Sequence, residues 1–407
     1  QARRSAAAAA GAARAATGPA AVGGTAMIAQ TAAIFVDAYR ELNAKKLFWI
    51  VLGLSALVVA AFAAVGIDAR GLTIFGYRAG ANPSTVWIER PFFYKQLFIT
   101  LGVSIWLTWA ATPLALVSTA GTFPDLVSGG TVDLYLSKPI GRLRLFLTKY
   151  LAALTFVVLQ VLVFSAASFL VLGLRGGTWS WGVFLAVPVV VVFYSYLYCV
   201  CVLFGLITRS TIAAILLTVV FWVVLFSVHF VEQASLMVKL QNEAAVERLT
   251  KAVADREARL AAFDADGGEA TQASRRDTLA KLLDRATTDR DAARRDLAES
   301  WHGRLLAAKT LLPKTSETVG LLERWMKAAT AGPRDDRFAT ADSDPDADAA
   351  PRRGLFDPRP GPDRRKAELK LREVLAARSV GWVVGTSLAF EAVVLGVAAW
   401  VFCRRDY

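Results

Sequence analysis

Long apolar stretches alternate with polar segments along the chain. Six of them carry almost no charge and have about the 20 helical residues needed to cross a hydrocarbon core of roughly 30 Å: residues 47–66, 97–120, 143–174, 181–207, 211–231 and 380–402. In the last stretch Trp382 and Trp400 are separated by about 27 Å of helix, which matches the two aromatic belts of a membrane span. The pattern predicts an all-α integral membrane protein with six transmembrane helices.

The residues before the first span divide into two parts. From residue 28 to residue 46, apolar side chains recur at helical spacing with polar ones between them: Ile28, Phe35, Tyr39 and Leu42. This spacing predicts an amphipathic helix along the inner leaflet, the alternative being a water-exposed extension of the first span. Residues 1–26 are low-complexity Ala, Gly and Arg without periodicity. We expect them to be a disordered leader or a mis-assigned start, with Met27 as the natural first residue.

A polar insert, residues 232–378, separates the fifth and sixth spans. Two apolar stripes at helical spacing, with a turn at residues 264–268, predict an antiparallel helical hairpin of coiled-coil type. Residues 332–362 are rich in Asp, Pro, Ala and Arg and are predicted to be disordered. The hairpin is either a plain stalk or an arm that binds a partner. The predicted domains are therefore a membrane domain at 27–231, this insert, and a sixth helix with its tail at 379–407.

Composition supports the membrane assignment and explains the charge. Of the 407 residues 55% are hydrophobic, above the usual 45–50%, which argues against a soluble enzyme. The net charge of +12 divides into +2 on the insert, with 28 basic and 26 acidic residues, and +10 on the remaining chain. The excess belongs to the membrane part, so no nucleic-acid partner is expected. Placing both termini inside puts ten basic residues of the short flanks in the cytoplasm and five outside. The insert is then extracytoplasmic.

Motifs for catalysis are absent from the sequence. It has no Gly-x-x-x-x-Gly-Lys-Ser/Thr phosphate loop, no Gly-x-Ser-x-Gly and no His-Glu-x-x-His. Its two histidines, His229 and His302, are far apart and are expected to be interfacial or surface residues. The three cysteines lie in apolar stretches and predict neither a disulfide framework nor a metal site. We therefore expect neither an enzyme nor a bound cofactor or metal on this chain.

The segment between the second and third spans, residues 119–144, is unusually apolar for a cytoplasmic loop. Three of its residues, Phe123, Leu126 and Val127, fall at i, i+3 and i+4 on one face of a short helix. Such a face needs a cover, either lipid or a partner protein.

Later residues of this segment carry a family resemblance. Residues 130–142 read Gly-Thr-Val-Asp-Leu-Tyr-Leu-Ser-Lys-Pro-Ile-Gly-Arg, and Lys-Tyr-Leu follows at 149–151. This resembles the cytoplasmic-loop signature of type-2 ABC transporter permeases. The amphipathic first helix, the six spans and the terminal Phe-Cys-Arg-Arg-Asp-Tyr agree with it, over about residues 27–231 and 379–407. Asp125 is the nearest match to the family's acidic residue, Gly141 replaces its serine, and the 147-residue insert exceeds its usual outer loop.

The resemblance implies the membrane subunit of an ABC-type exporter. Such permeases pair as homodimers or heterodimers on two separate cytoplasmic ATPase subunits, which bind ATP and Mg²⁺, in a bacterial-type plasma membrane with both termini cytoplasmic. In this chain the implied ATPase-docking residues are Phe123, Asp125, Leu126, Val127, Gly130, Thr131, Asp133, Leu136, Lys138, Pro139 and Arg142. The alternative function is a non-transporting membrane anchor whose extracytoplasmic coiled-coil arm binds a partner.

Two polar residues fall inside predicted spans. Glu391 lies nine residues from each belt tryptophan of the last span, near the bilayer midplane. A carboxylate there costs roughly 2.5–3.5 kcal/mol, so it is expected to face protein or a cavity. A hydroxyl group or Gln160 of the third span is its expected partner. It is either a group of the translocation path or dimer interface, or a protonated, hydrogen-bonded structural residue.

Overall fold

The computed structural model describes residues 19–44, 46–68, 71–75, 77–80, 89–128, 141–265, 273–298, 302–328 and 362–404. Predictions for residues 1–18, for most of the turn at 264–268 and for 332–361 lie outside these residues. The chain forms two compact units. The first comprises Gln1–Trp222, Glu317–Thr330 and Glu391–Tyr407, and the second comprises Val223–Ser316 and Ala331–Phe390.

Helices account for most of the described chain. In order they are α1 Pro19–Ala44, α2 Lys46–Ala64, α3 Arg90–Leu97, α4 Thr112–Thr119, α5 Pro124–Ser128, α6 Arg142–Gly176, α7 Ala186–Thr208, α8 Thr211–Ala265, α9 Ala273–Ala298, α10 His302–Thr310, α11 Thr315–Ala328, α12 Pro362–Ala377 and α13 Val380–Arg404. A π-helical stretch, Phe98–Ala111, joins α3 to α4. Short 3₁₀ turns, Ala120–Thr122 and Trp181–Leu185, precede α5 and α7.

Several helices have the length and composition to cross a membrane, as the apolar pattern predicts. Those that qualify in the described chain are Lys46–Ala64, Arg90–Val127, Arg142–Gly176, Trp181–Thr208, Thr211–Asp264 and Val380–Arg404. The prediction of a largely helical chain with several long apolar helices is therefore confirmed. The fifth of these continues far beyond residue 231, where the apolar pattern ends, because no proline or glycine interrupts it before Ala265.

A small sheet corrects the prediction of an all-α fold. Strands β1 Val65–Asp68, β2 Gly71–Ile74 and β3 Tyr77–Gly80 form an antiparallel sheet in the order β1-β2-β3. Gly66, which the sequence assigned to the first span, lies in β1 and pairs with Thr73. Glycine suits this position because a Cβ atom would come within 2.6 Å of the Thr73 hydroxyl oxygen. Strands of four residues are too short to show the alternation by which strands are recognised in a sequence.

The core of the first unit lies around α7. In the helix Trp181–Thr208, 72% of the most apolar 18-residue stretch is buried, against 17–39% in the other membrane-length helices. Its residues are apolar on every side, and a helix of this kind is stable only when neighbours surround it. The other helices pack against α7 with one side. Their outward sides carry large exposed apolar side chains, for example Leu57, Leu216 and Val393.

Helix α1 packs against the start of α6. Ile34 and Ala38 are buried on its inner side. Glu41 accepts a hydrogen bond from the buried Lys149 ammonium at 3.0 Å, and Arg144 Nε donates to the Thr31 hydroxyl at 2.8 Å. The helix begins at Pro19, so residues 19–26, expected to be part of a disordered leader, are helical in an alanine-containing stretch that favours this conformation. Its position in the inner leaflet stays a prediction.

Candidate functional site

The segment between α4 and α6 begins with a compact turn. Helix α4 ends at Thr119, a 3₁₀ turn covers Ala120–Thr122, and Pro124 opens the five-residue helix α5. Proline suits this position because a first helical residue needs no backbone N–H partner. The expected apolar face is formed, since Phe123, Leu126 and Val127 are only 1%, 4% and 8% exposed.

The cover over this face comes from the chain itself. The Phe123 ring packs on Phe146 of α6 at a centroid distance of 5.0 Å and on Phe402 of α13 at 6.4 Å. Those two rings also touch each other, at 5.8 Å. The expectation that lipid or a partner covers Phe123, Leu126 and Val127 is therefore wrong. They are core residues that seat the segment on the helix ends.

Among the five described residues of the implied docking set, Asp125 is the one with an exposed side chain. Its carboxylate accepts a hydrogen bond of 3.4 Å from Thr211 at the start of α8. Arg142 is partly buried and donates to the backbone carbonyl of Cys403 at 3.1 Å, where a cation complements the C-terminal end of a helix. The other docking residues lie outside the described residues: Gly130, Thr131, Asp133, Leu136, Lys138 and Pro139.

Glu391 of α13 is buried, with 7% of its surface exposed. The Tyr150 hydroxyl of α6 donates to Oε1 at 2.8 Å, and the Ser195 hydroxyl of α7 lies 2.8 Å from Oε2. Both carboxyl oxygens therefore have hydroxyl partners, which was one of the two pairings expected. Tyr150 lies within the Lys-Tyr-Leu that follows the family-like motif. Nothing in the sequence pointed to Ser195.

Gln160 is not a partner of Glu391. It is buried in α6, and no described residue accepts a hydrogen bond from its Nε2 group. It lines a narrow cleft with Ser55 and Thr112. Of the two polar residues expected inside the spans, the structure therefore places one in a hydrogen-bonded cluster and the other beside a small space.

The Ser195 hydroxyl allows two hydrogen-bond arrangements. It lies 2.9 Å from the Val192 carbonyl and 2.8 Å from Glu391 Oε2, yet it carries one hydrogen. If Glu391 is ionised, Ser195 donates to the carboxylate. If Glu391 is protonated, its O–H donates to Ser195, which then donates to Val192. The site can therefore hold this side chain with or without a proton by turning one hydroxyl group.

Stacked tyrosines connect this cluster to the turn before α5. Tyr150 stacks on Tyr198 with ring centroids 5.2 Å apart, and Tyr198 stacks on Tyr194 at 5.6 Å. The Tyr194 hydroxyl is hydrogen-bonded to the hydroxyl of Thr119, the last residue of α4. A continuous row of contacts thus runs from the seated segment to Glu391.

The second unit has its own buried polar cluster. Glu232 of α8 is fully buried and accepts hydrogen bonds from Lys309 of α10 at 2.8 Å and from Arg378 at 2.5 Å. The Lys309 ammonium also lies 3.1 Å from His229 Nδ1. His229 and Glu232 are close enough to be considered as ligands of a metal ion. The Lys309 ammonium contacts both side chains and supplies the positive charge there.

His302, expected to be an interfacial or surface residue, is buried in the second unit, so the surface alternative is wrong. It is 8% exposed and lies 3.2 Å from the Ser235 hydroxyl. Burial lowers the pKa of its imidazole, nearby Glu232 opposes this shift, and the cations of Lys239, Arg378 and Lys309 add to it. Elsewhere in this unit Leu236 and Leu240 of α8 pack on Ala367 of α12.

In chemical terms the site in the first unit offers hydroxyl groups and one carboxyl group enclosed by aromatic rings. These groups can exchange a proton or change their hydrogen bonds when a helix shifts. Comparison of the chain with protein-family models, with curated proteins and with solved structures found no match.

Proposed function

We propose that the chain is the membrane-embedded permease subunit of an ABC-type exporter, driven by a separate cytoplasmic ATPase. The observation that carries the proposal is the seating of residues 119–128, directly before the family-like motif, on Phe146 at the start of α6 and Phe402 at the end of α13. A segment fixed in this way can pass a push from a bound ATPase to the long helices. The motif at 130–142 supplies the resemblance that names the ATPase class.

The packing suggests how such a push would travel. Phe123 contacts Phe146 and Phe402, and densely packed rings resist compression, so they move together. Phe146 is one turn from Tyr150 in α6, and Phe402 is eleven residues from Glu391 in α13, about 16 Å. Displacement of the segment would therefore shift both partners of the Tyr150–Glu391 hydrogen bond. ATP and Mg²⁺ belong to the partner subunit in this scheme.

The docking residues then have different roles. Phe123, Leu126 and Val127 hold the segment in place, and Arg142 links its far end to α13. Asp125 and the motif residues up to Pro139 meet the ATPase. These two roles explain how the apolar face of α5 can belong to a docking segment although it is buried.

We further propose six spans, both termini in the cytoplasm, an extracytoplasmic insert, and two permease copies, identical or different, in a bacterial-type plasma membrane. The positive-inside bias supports this orientation. A topology reporter inserted at residue 267 should read as extracytoplasmic. A cytoplasmic signal at that position would overturn the orientation.

The ATPase can be sought by purifying the tagged full-length chain from its native membranes. We expect mass spectrometry to identify a co-purifying ATPase with a phosphate loop. Asp125→Arg should reduce its recovery, because the exposed carboxylate lies in the docking segment. Glu89→Arg, a similar exposed change at the other end of the same membrane-length helix, is the control and should not. Recovery of no ATPase, or equal recovery from both variants, would contradict the proposal.

One observation favours the second function, a membrane anchor with a partner-binding arm. Helix α8 is continuous for 55 residues, about 83 Å, whereas a span needs about 20. If the insert is the predicted antiparallel hairpin, excising residues 250–290 removes its outer half and leaves the Glu232 cluster intact. An exporter subunit should still recover its ATPase after this excision. If the chain is an anchor, its partner should no longer co-purify after the excision, and no ATPase should co-purify with either form of the chain.

A further inference from the structure

The small sheet presents large apolar side chains to its surroundings. Ile74, Phe75 and Tyr77, at the turn between β2 and β3, are 42%, 77% and 81% exposed. Phe75 also has a φ of 51°, a left-handed conformation that a bulky side chain rarely adopts. The fold thus accepts local strain and still leaves two aromatic rings uncovered.

The strand register fixes where this turn lies. Strand β1 leaves the end of α2, and β2 returns antiparallel to it, pairing Ile74 with Val65. The Phe75 N–H then donates to the carbonyl of Ala64, the last residue of α2, at 2.9 Å. The exposed turn is therefore level with the end of a membrane-length apolar helix and does not project beyond it.

Two other helix ends meet α2 at this level. Arg175, at the end of α6, donates to the carbonyl of Ala63 at 2.6 and 2.9 Å. Tyr94, near the start of α3, donates through its hydroxyl to the carbonyl of Val65 at 3.0 Å. Three membrane-length helices thus end in one plane beside the turn.

Exposed tryptophans mark the same end of the bundle. Trp179 and Trp181, after α6, are 55% and 73% exposed. The Trp179 ring lies over Gly173, where a Cβ atom would come within 2.5 Å of it, so the chain folds back along α6. Tryptophans at the ends of spans are typical of the membrane–water interface. Residue 173 is one turn inside the helix end, so the Trp179 ring lies about one turn inside the end of α6.

Charged groups at this level suit a phospholipid headgroup layer. The Arg175 side chain is exposed beyond its contact with Ala63, and Arg90 lies at the start of α3 in an exposed pair with Asp68 at 3.2 Å. Guanidinium groups bind phosphate oxygens well. Aromatic rings beside cations, in the plane where apolar helices end, match the layered chemistry of a bilayer surface more closely than that of a protein partner.

We propose that Ile74, Phe75 and Tyr77 insert into the headgroup region of the leaflet at which α2 ends. The sheet then anchors the first two membrane-length helices to the bilayer surface. The inference rests on the proposed membrane function, because it needs α2 to cross the bilayer.

The test uses spin labels on the full-length chain reconstituted in phosphatidylcholine vesicles. Cys199 and Cys201 are buried, and Cys403→Ser removes the remaining accessible thiol. In this background Phe75→Cys reports the turn, with Tyr77→Cys as a second reporter. Leu57→Cys, on the exposed side of α2, is the control for lipid, and Ala262→Cys, exposed on α8, is the control for water. Collision with oxygen and with a water-soluble nickel chelate then gives the depth of each label.

We expect the label at residue 75 to lie between the two controls in depth. It should be less accessible to the nickel chelate than the label at residue 262, and closer to the bilayer surface than the label at residue 57. Nickel access equal to that at 262, with 57 still in lipid, would overturn the inference and leave the membrane function standing. Protection from both reagents would also overturn it, because a protein would then cover the turn. A label at 57 that behaves as if in water would contradict the membrane function itself.

Discussion

Glu391 shows how a single ionisable residue is accommodated in an apolar helix. The penalty of roughly 2.5–3.5 kcal/mol for a charged side chain at mid-membrane is reduced when partners satisfy it or a proton neutralises it. Tyr150 and Ser195 provide a partner for each carboxyl oxygen. The Ser195 hydroxyl can donate to Glu391, or accept from it and donate to the Val192 carbonyl. The cluster is therefore stable in two protonation states, which suits a group that takes part in a conformational change.

The substitution Glu391→Gln separates shape from charge. Glutamine can accept from Tyr150 and donate to Ser195, so we expect thermal unfolding in detergent close to that of the natural chain. Glu391→Ala removes both hydrogen bonds to the carboxyl group, although Ser195 keeps the Val192 carbonyl as a partner and Tyr150 keeps the Ser195 carbonyl at 3.4 Å. At a cost of about 0.5–1.5 kcal/mol for each lost hydrogen bond, this variant should unfold at a clearly lower temperature. If Gln also leaves assembly with the proposed ATPase, and stimulation of its ATP hydrolysis, unchanged, Glu391 has no charged role.

The partners of Glu391 show the limit of sequence reasoning at this scale. A carboxyl group in an apolar stretch can be recognised from the sequence, because its cost does not depend on the fold. Tyr150 and Ser195 are 241 and 196 residues away along the chain. Their pairing depends on how α6, α7 and α13 pack, and no local pattern records that.

Helix α5 and the turn before it form an element whose apolar face is buried and whose Asp125 is exposed. Phe123→Ala should destabilise the first unit by about 3–5 kcal/mol, because it removes a buried ring from a three-ring cluster. Asp125→Ala should leave stability within about 0.5 kcal/mol, as expected at the surface. Thermal unfolding of the two variants checks this. Equal stability would mean that Phe123 does not seat the segment.

In the second unit, Glu232 connects α8 to α10 and to Arg378. Glu232→Gln removes the negative charge that compensates Lys309 and Arg378, and breaking a buried ion pair costs about 3–5 kcal/mol. We expect faster hydrogen exchange in α10, measured by mass spectrometry on peptides covering 302–310. Glu247→Gln, in an exposed pair with Lys370, is the matched control and should leave this exchange unchanged. Unchanged exchange in both variants would show that the cluster does not hold α10.

The buried His302 makes the same element sensitive to acid. Its pKa is lowered by burial below the value of about 6.5 in an unfolded chain. The opened segment then binds more protons, so the stabilisation is complete above about pH 6.5 and is lost as the pH falls toward the lowered pKa. After correction for intrinsic rates, exchange in 302–310 should accelerate from pH 7.5 to 5.5. In His302→Gln this acceleration should be absent, and its persistence would assign the effect to another group.

At the scale of elements, the sequence located the apolar helices well and their ends less well. The ends depend on interactions with other parts of the chain. Helix α2 stops two residues early because Val65 and Gly66 pair with β2, and α8 runs past residue 231 because its next turns pack on α12. The apolar face of α5 was correctly identified, but its cover was not, because Phe146 and Phe402 reach it only through the fold.

For the whole molecule, the division of charge between the membrane part and the insert follows directly from the sequence. The identity of the ATPase does not follow from this sequence, because the ATPase is expected on another chain. The contacts of residues 119–128 and the motif at 130–142 together support the proposal that this segment docks on an ATPase.

Site-specific photo-crosslinking can detect this docking directly. A benzophenone amino acid replaces Asp125 in the full-length chain in native membranes, and the same replacement of Glu89 serves as the control. We predict that position 125 forms an adduct with an ATPase containing a phosphate loop and that position 89 does not. No ATPase adduct at 125, or equal adducts at both positions, would contradict it.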